Sequence, residues 1–473
     1  MVAEVLCERR YINNYDTLTI MIIVLLILIV TYLFLYFSGL PYWLTPSVFY
    51  VWNTVVYVLI NIWYLLKYRK KNVFCFELLF ALSFWICCFF LLVLMEQLDP
   101  SILTHSQILY FSDNLLCRSC ALCMLGYLSY MVGLIPIGPN SFNNIECKQS
   151  PKVNKVLNLV TTMLIILFFM LGGGDFINSY NQSVVIDALE GGRFGKFGTV
   201  MIYLIMFINT SSVSNFITTK YEEGENVVHF IKKLDPLFVF NVLIMSIFFL
   251  LCGYRSGAMQ ILLPIFALLS NKSVLKAKHT FVVILCGVVV MSLIGQLRSQ
   301  TSNINEIASD MTLLEFFRDF GSANAATPSL IEYVDFYGSA NFKNAWGAIL
   351  SIVPLLPTLI FGVCGSDFLM PPSSHIYTYD ICQSYFSGMG TNVIGDLYYT
   401  GGFFCVLISL FLFGWIIRKV SVSTSKYALL ALVCLIGNAF FMPRVEFFFI
   451  TRICSFPIII YWLINMIFPV RRF

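Results

Sequence analysis

Charge is scarce in this chain. Only 11% of its 473 residues are Asp, Glu, Lys or Arg, where a soluble domain carries about 25%. That scarcity excludes a soluble enzyme. The net charge of +4 comes from a few connecting loops and points to no nucleic-acid partner. Histidine is scarcer still, with 4 residues. His105, His229 and His279 stand in separate short connections and His375 stands alone, so no metal centre is expected. The sequence has no P-loop, zinc motif, GxSxG or dinucleotide fingerprint, no internal repeat and no low-complexity tract. The 15 cysteines lie mostly inside apolar runs and read as small core residues. Cys364 and Cys382 share one loop, but nothing in the sequence argues for a disulfide between them.

Hydrophobic residues are abundant, at 59% of the chain, and they come in long runs. A membrane-crossing helix needs about 20 of them. Runs of that kind fall near 18–37, 47–66, 73–95, 115–137, 156–171, 197–217, 236–252, 257–270, 280–297, 399–417, 427–442 and 446–468. The sequence therefore predicts an all-α polytopic membrane protein of about twelve spans, a single integral domain over 1–473. The first run has no small-residue cleavage site and is expected to remain as a span.

Positive charge alternates along this pattern. Lysines and arginines crowd the connections at 67–71, 148–155, 220–233, 272–278 and 418–426, together with Arg9, Arg10, Arg471 and Arg472. These make up 20 of the 29 cations. The connections between them hold few. The positive-inside rule puts the crowded side, and both termini, in the cytoplasm. The isolated outer cations then need a reason to be there, and an anionic ligand is one.

One outer loop is far longer than the others, from Arg298 to Tyr398. Structureless loops beyond about 15 residues are usually functional. Residues 306–320 place Ile307, Met311 and Leu314 on one helical face, which suggests an amphipathic helix lying on the membrane. Residues 346–363 are apolar, but a span there would put Arg418, Lys419 and Lys426 outside. Pro354 and Pro357 would also break it. A re-entrant or in-plane segment fits better.

Three motifs carry possible chemistry. In Tyr254-Arg255-Ser256-Gly257, the guanidinium offers a planar fork of donors suited to phosphate oxygens, and Gly257 would let a ligand approach the backbone. An interfacial snorkelling arginine is the plainer reading. Arg298, Arg444 and Arg452 also belong to the outer side, with Glu446 near enough to neutralise one of them. The third motif, Gly388 to Gly402, joins glycines, Asp396 and two tyrosines at the entry to a span. Asp396 suits a general base, or else caps the helix. His375 is the second candidate base, near Asp367 and Asp380.

These features resemble the Wzy-type O-antigen polymerases. The resemblance rests on an arginine among small residues opening a mid-chain span, a long outer loop after it, and a G-D/E-x-Y-x-x-x-G stretch entering a helix. Here that stretch is Gly395, Asp396, Tyr398 and Gly402. The likeness covers roughly 250 to 460. It implies a GT-C-like glycosyltransferase of the bacterial inner membrane, joining undecaprenyl-pyrophosphate-linked glycans on the periplasmic side. It further implies pyrophosphate held by Arg255, Arg298, Arg444 and Arg452, glycan contacts from Tyr398 and Tyr254, and no cofactor. A chain-length regulator of the Wzz type, a Wzx-type flippase and membrane lipids are the implied partners. An O-antigen ligase, transferring glycan to the lipid A core, and a lipid-linked oligosaccharide flippase are the rival readings.

Overall fold

The computed structural model describes residues 2–68, 74–94, 111–135, 150–175, 193–220, 222, 225–252, 254–271, 322–353, 356, 359–360, 369–382 and 390–469, with only the backbone for 2–18, Leu94, Asp175, 193–199, Arg255, Asn271 and Ser322. Among these residues every regular element is helical.

In chain order the helices are α1 (Val2–Ser38), α2 (Pro46–Tyr68), α3 (Phe76–Cys88), α4 (Phe90–Leu94), α5 (Asp113–Leu134), α6 (Pro151–Met170), α7 (Arg193–Thr218), α8 (Val227–Lys233), α9 (Pro236–Leu251) and α10 (Arg255–Asn271). From the long loop come α11 (Ala326–Tyr337), α12 (Trp346–Leu350) and α13 (Ser373–His375). The chain closes with α14 (Val393–Val422), α15 (Lys426–Asn438) and α16 (Phe449–Ile467). Seven are long and apolar enough to cross a membrane, or eight if α8 and α9, bent by 114°, count as one broken span. The apolar parts of α3, α10 and α15 are shorter. The expected spans coincide with helices among these, 73–95 with the separate α3 and α4, except 280–297, which lies outside the described residues. So does the expected amphipathic helix at 306–320. The described part of 346–363 begins with the five-residue α12 and a turn.

Local signals start several helices. Ser112 caps α5 by accepting from the N–H of Leu115, and Asp235 caps α9 ahead of Pro236. Both leave fewer N–H groups unpaired at a helix start.

The helices build two apolar cores. The first gathers α1 to α5 and α14, and the second gathers α6 to α10 and α16. Helix α15 serves both. Leu432, Leu435 and Ile436 face the first core, and Leu429, Leu430 and Val433 face the second. Ile20, Ile23, Ile27, Val30 and Phe34 of α1 lie exposed along one flank. Such a continuous apolar face suits lipid rather than water.

At the centre of the first core α5 crosses α14. Both helices place glycine at the crossing. A Cβ on Gly414 would stand 2.1 Å from the carbonyl oxygen of Tyr130, and one on Gly133 would stand 2.2 Å from that of Phe411. Small residues let backbones approach this closely, which is how helices associate where the solvent is apolar. In the second core amides serve that purpose. Asn215 donates to Asn158 at 3.0 Å, and Thr162 donates to Asn241 at 3.0 Å.

Candidate functional site

The site grows from the first turn of α14. Asn392 stands in an extended conformation just before the helix and accepts from the N–H of Gly395 at 2.7 Å. Asn392 is therefore the cap, and the alternative reading in which Asp396 caps this helix is overturned. Asp396 lies one turn further in, where its own N–H is already bonded to the carbonyl of Asn392 at 2.9 Å. The amide of Asn392 also donates to the carbonyl of Ala323 at 2.6 Å and accepts from Thr327 at 2.8 Å. Through these bonds α11 and the turn before it are fastened to α14. Gly395 allows the contact, since a Cβ there would come within 2.8 Å of Leu330.

The side chain of Asp396 is buried. One oxygen accepts from the hydroxyl of Ser373 at 2.6 Å, and the other from the backbone N–H of Phe447 at 2.8 Å. These donors come from α13 in the long loop and from the turn between α15 and α16. The carboxylate thus joins three segments distant in sequence. Glu446 accepts from Ser374 at 2.5 Å, a second tie between the same two segments. Arg444 lies in that turn, and a Cβ placed on Gly390 would stand 4.0 Å from its Nε. His375 is exposed on α13, its ring 4.7 Å from that of Tyr379. Behind it Ile376 is buried in a small cluster with Leu330, Ala340 and Tyr399.

Helix α14 breaks soon after. Gly401 and Gly402 leave helical geometry, and Gly402 has φ of +74°, a conformation open to glycine at little cost. The loop meets the helix at this break. The N–H of Ala340 donates to the carbonyl of Tyr399 at 2.8 Å, and that of Phe342 to Thr400 at 2.9 Å. A break in a membrane-crossing helix is tolerated where other segments satisfy the freed groups.

A second polar cluster sits on the same half-helix. Arg118, near the start of α5, grips Asp335 of α11 with both ends of its fork, at 2.5 and 3.3 Å. Its Nη2 also donates to the hydroxyls of Tyr36 and Tyr398, each at 3.1 Å. The guanidinium lies 5.1 Å from the centre of the Tyr36 ring. The Arg118 and Asp335 side chains are 30% and 41% exposed. An ion pair that wet contributes about 0–1 kcal/mol to stability, so the pair is not what holds α11 in place. The sequence reading missed Arg118. Its signal was its rarity, as one of the few cations outside the basic loops.

The family model for O-antigen polysaccharide polymerase Wzy matches residues 17–470, nearly the whole chain. The chain belongs to this family. No curated protein and no solved structure matches it. Membership supports O-antigen polymerisation in general, with lipid-linked O-antigen repeat units as the substrates and the inner membrane as the location.

In this polymerase the expected site residues are divided. Asp396 and Arg444 belong to one constellation, with His375 at its edge. Tyr398 belongs to the Arg118 cluster, where its ring is buried and its hydroxyl takes part. Arg452 lies over the Phe449 ring at 5.2 Å, in the part of α16 that holds α12 through a bond from Thr451 to Ala348. Arg255 opens α10, and only its backbone is described. Arg298, like Asp367 and Cys364, lies outside the described residues. Gly257 does not leave room for a ligand as expected, because a Cβ there would fall 2.4 Å from the Tyr254 ring. That ring packs edge-on against Phe249 at 5.4 Å. Cys382 is a free thiol whose pKa burial pushes up, which makes it a poor nucleophile. Among the described residues no group of three or more His, Cys, Asp or Glu is placed to hold a metal ion.

Proposed function

We propose that this polymerase joins undecaprenyl-pyrophosphate-linked repeat units on the periplasmic side of the inner membrane. The proposal includes about twelve spans, cytoplasmic termini, a periplasmic loop over 298–398 and a GT-C-like architecture. The sidedness is supported by the meeting of Tyr36, Arg118, Asp335 and Tyr398. Charge alternation assigns all four, from separate parts of the chain, to the outer face.

In the reaction the bond from the donor's anomeric carbon to pyrophosphate breaks. The hydroxyl oxygen of the acceptor sugar bonds to that carbon, its proton passes to a base, and undecaprenyl pyrophosphate leaves with the electron pair. Arg444 and Arg452, with Arg255 and Arg298, meet the charge growing on the leaving group. Tyr398 and Tyr254 contact the glycan. The chemistry needs no metal where arginines hold the phosphates. A Wzx-type flippase delivers the units, and a Wzz-type regulator sets the length.

The observation that carries the site is the pinning of Asp396 between Ser373 and Phe447. It brings the exposed His375 beside the turn that holds Arg444. An acceptor hydroxyl reaches His375 directly, and reaches Asp396 only if α13 lifts. We therefore give His375 the proton and Asp396 the positioning role, with Asp396 as base the second reading. The test is polymer length made by membranes supplied with lipid-linked repeat units. His375→Ala is expected to accumulate single units while staying folded. Full-length polymer from that variant would return the base to Asp396.

A further inference from the structure

Of the cluster around Arg118 only Tyr398 has a role above, and the geometry of the whole is that of an occupied anion site. Three donations converge on the two oxygens of Asp335: both ends of the Arg118 fork, and the Tyr398 hydroxyl at 3.4 Å. Two parallel bonds from one guanidinium suit a phosphate as well as a carboxylate. The fork has supports of its own. It lies against the Tyr36 ring and donates to both tyrosine hydroxyls. The occupant, by contrast, comes from α11, a loop helix fastened to the rest through Asn392 and Thr327 rather than through this pair.

The surroundings narrow the ligand. The Tyr36 ring lies 4.9 Å from Phe37 and 4.9 Å from Phe403. Phe37 and Phe404 are 71% and 72% exposed. An aromatic strip open to the bilayer thus adjoins the fork. A ligand that fills both has an anionic phosphate head and an apolar chain.

We propose that Arg118, Tyr36 and Tyr398 form a binding site for the phosphate of a lipid, with its chain along Phe37 and Phe403. Asp335 occupies the site in the empty protein and is displaced on binding. The geometry stands by itself; that the lipid is the isoprenoid pyrophosphate substrate rests on the polymerase reading.

The test is isothermal titration of the full chain in neutral detergent with farnesyl pyrophosphate, and with farnesol and phosphatidylglycerol as comparison arms. Farnesyl pyrophosphate is expected to bind, about tenfold more weakly in Arg118→Ala and about tenfold more tightly in Asp335→Asn, the scale of one charge-assisted contact. Arg118→Lys, which keeps the charge and loses the fork, falls between wild type and Arg118→Ala. Farnesol binding is expected to ignore all three substitutions. Binding unchanged in Arg118→Ala, no binding to any form, or weaker binding in Asp335→Asn would overturn the site. Phosphatidylglycerol competing as well as farnesyl pyrophosphate would overturn its assignment to the substrate. The two readings fail separately. Wild type that binds through Arg118 yet makes no polymer sinks the polymerase reading alone. Wild type that makes polymer while Arg118→Ala binds normally sinks this site alone.

Discussion

The backbone N–H of Phe447 donates to a side-chain oxygen of Asp396 at 2.8 Å, across 51 positions of sequence. Replacing Asp396 by Asn leaves an acceptor for Ser373 and turns an NH2 toward the Phe447 N–H. Leaving a buried donor unsatisfied costs about 1–3 kcal/mol. Asp396→Asn is expected to unfold at lower temperature in detergent, and to accumulate single lipid-linked units because the Arg444 turn loses its anchor. An unchanged melting temperature together with full-length polymer would remove Asp396 from both roles.

Asn392→Ala removes the cap of α14 together with the ties to Thr327 and the Ala323 carbonyl. Loss of a cap alone costs about 0.5–2 kcal/mol. The variant is expected to lose more than that, and to become sensitive to protease within the 298–398 loop. Asn392→Asp keeps the acceptor but not the donor, so it falls between. Equal loop protection in wild type and Asn392→Ala would show that the loop is held elsewhere.

Gly414→Ala forces a methyl group against backbone rather than a movable side chain. Overpacking of this kind costs typically about 1–3 kcal/mol. The α5–α14 crossing is expected to open, lowering the melting temperature. Gly347→Ala is the control, since a Cβ there meets nothing within 4 Å. Equal melting temperatures for the two variants would count against the close crossing.

Topology is testable by reporter fusions. Sites at 67–71, 148–155 and 421 are expected in the cytoplasm, and sites within 298–398 outside. A fusion at 421 that reads as outer would restore 346–363 as a span.

The helical layout was legible because a membrane helix announces itself by length and hydropathy. Boundaries were harder to read. Helix α14 begins at Val393, earlier than the expected 399, because Gly395 and Asp396 lower the local hydropathy without breaking the helix. The same ambiguity hid the cap, since Asp and Asn are both good caps. Only the backbone shows that Asn392 occupies that position. Arg118 and Asp335 are 217 positions apart, and no local pattern pairs them. Gly133 and Gly414 each read in sequence as one small residue in an apolar run, and only their crossing gives them meaning.

The break at Gly402 sets a depth. From Phe403 to Val422 the helix runs for twenty residues, which at 1.5 Å each is about 30 Å, the thickness of the hydrocarbon layer. Where that stretch crosses the hydrocarbon layer, the turns before the break stand at the height of the lipid phosphates. At that height a lipid-linked glycan changes from anion to sugar. On the proposed reading, Asp396 and Tyr398, two residues apart on one short half-helix, stand level with that junction, one as the buried tie under the site and the other as a contact for the ligand.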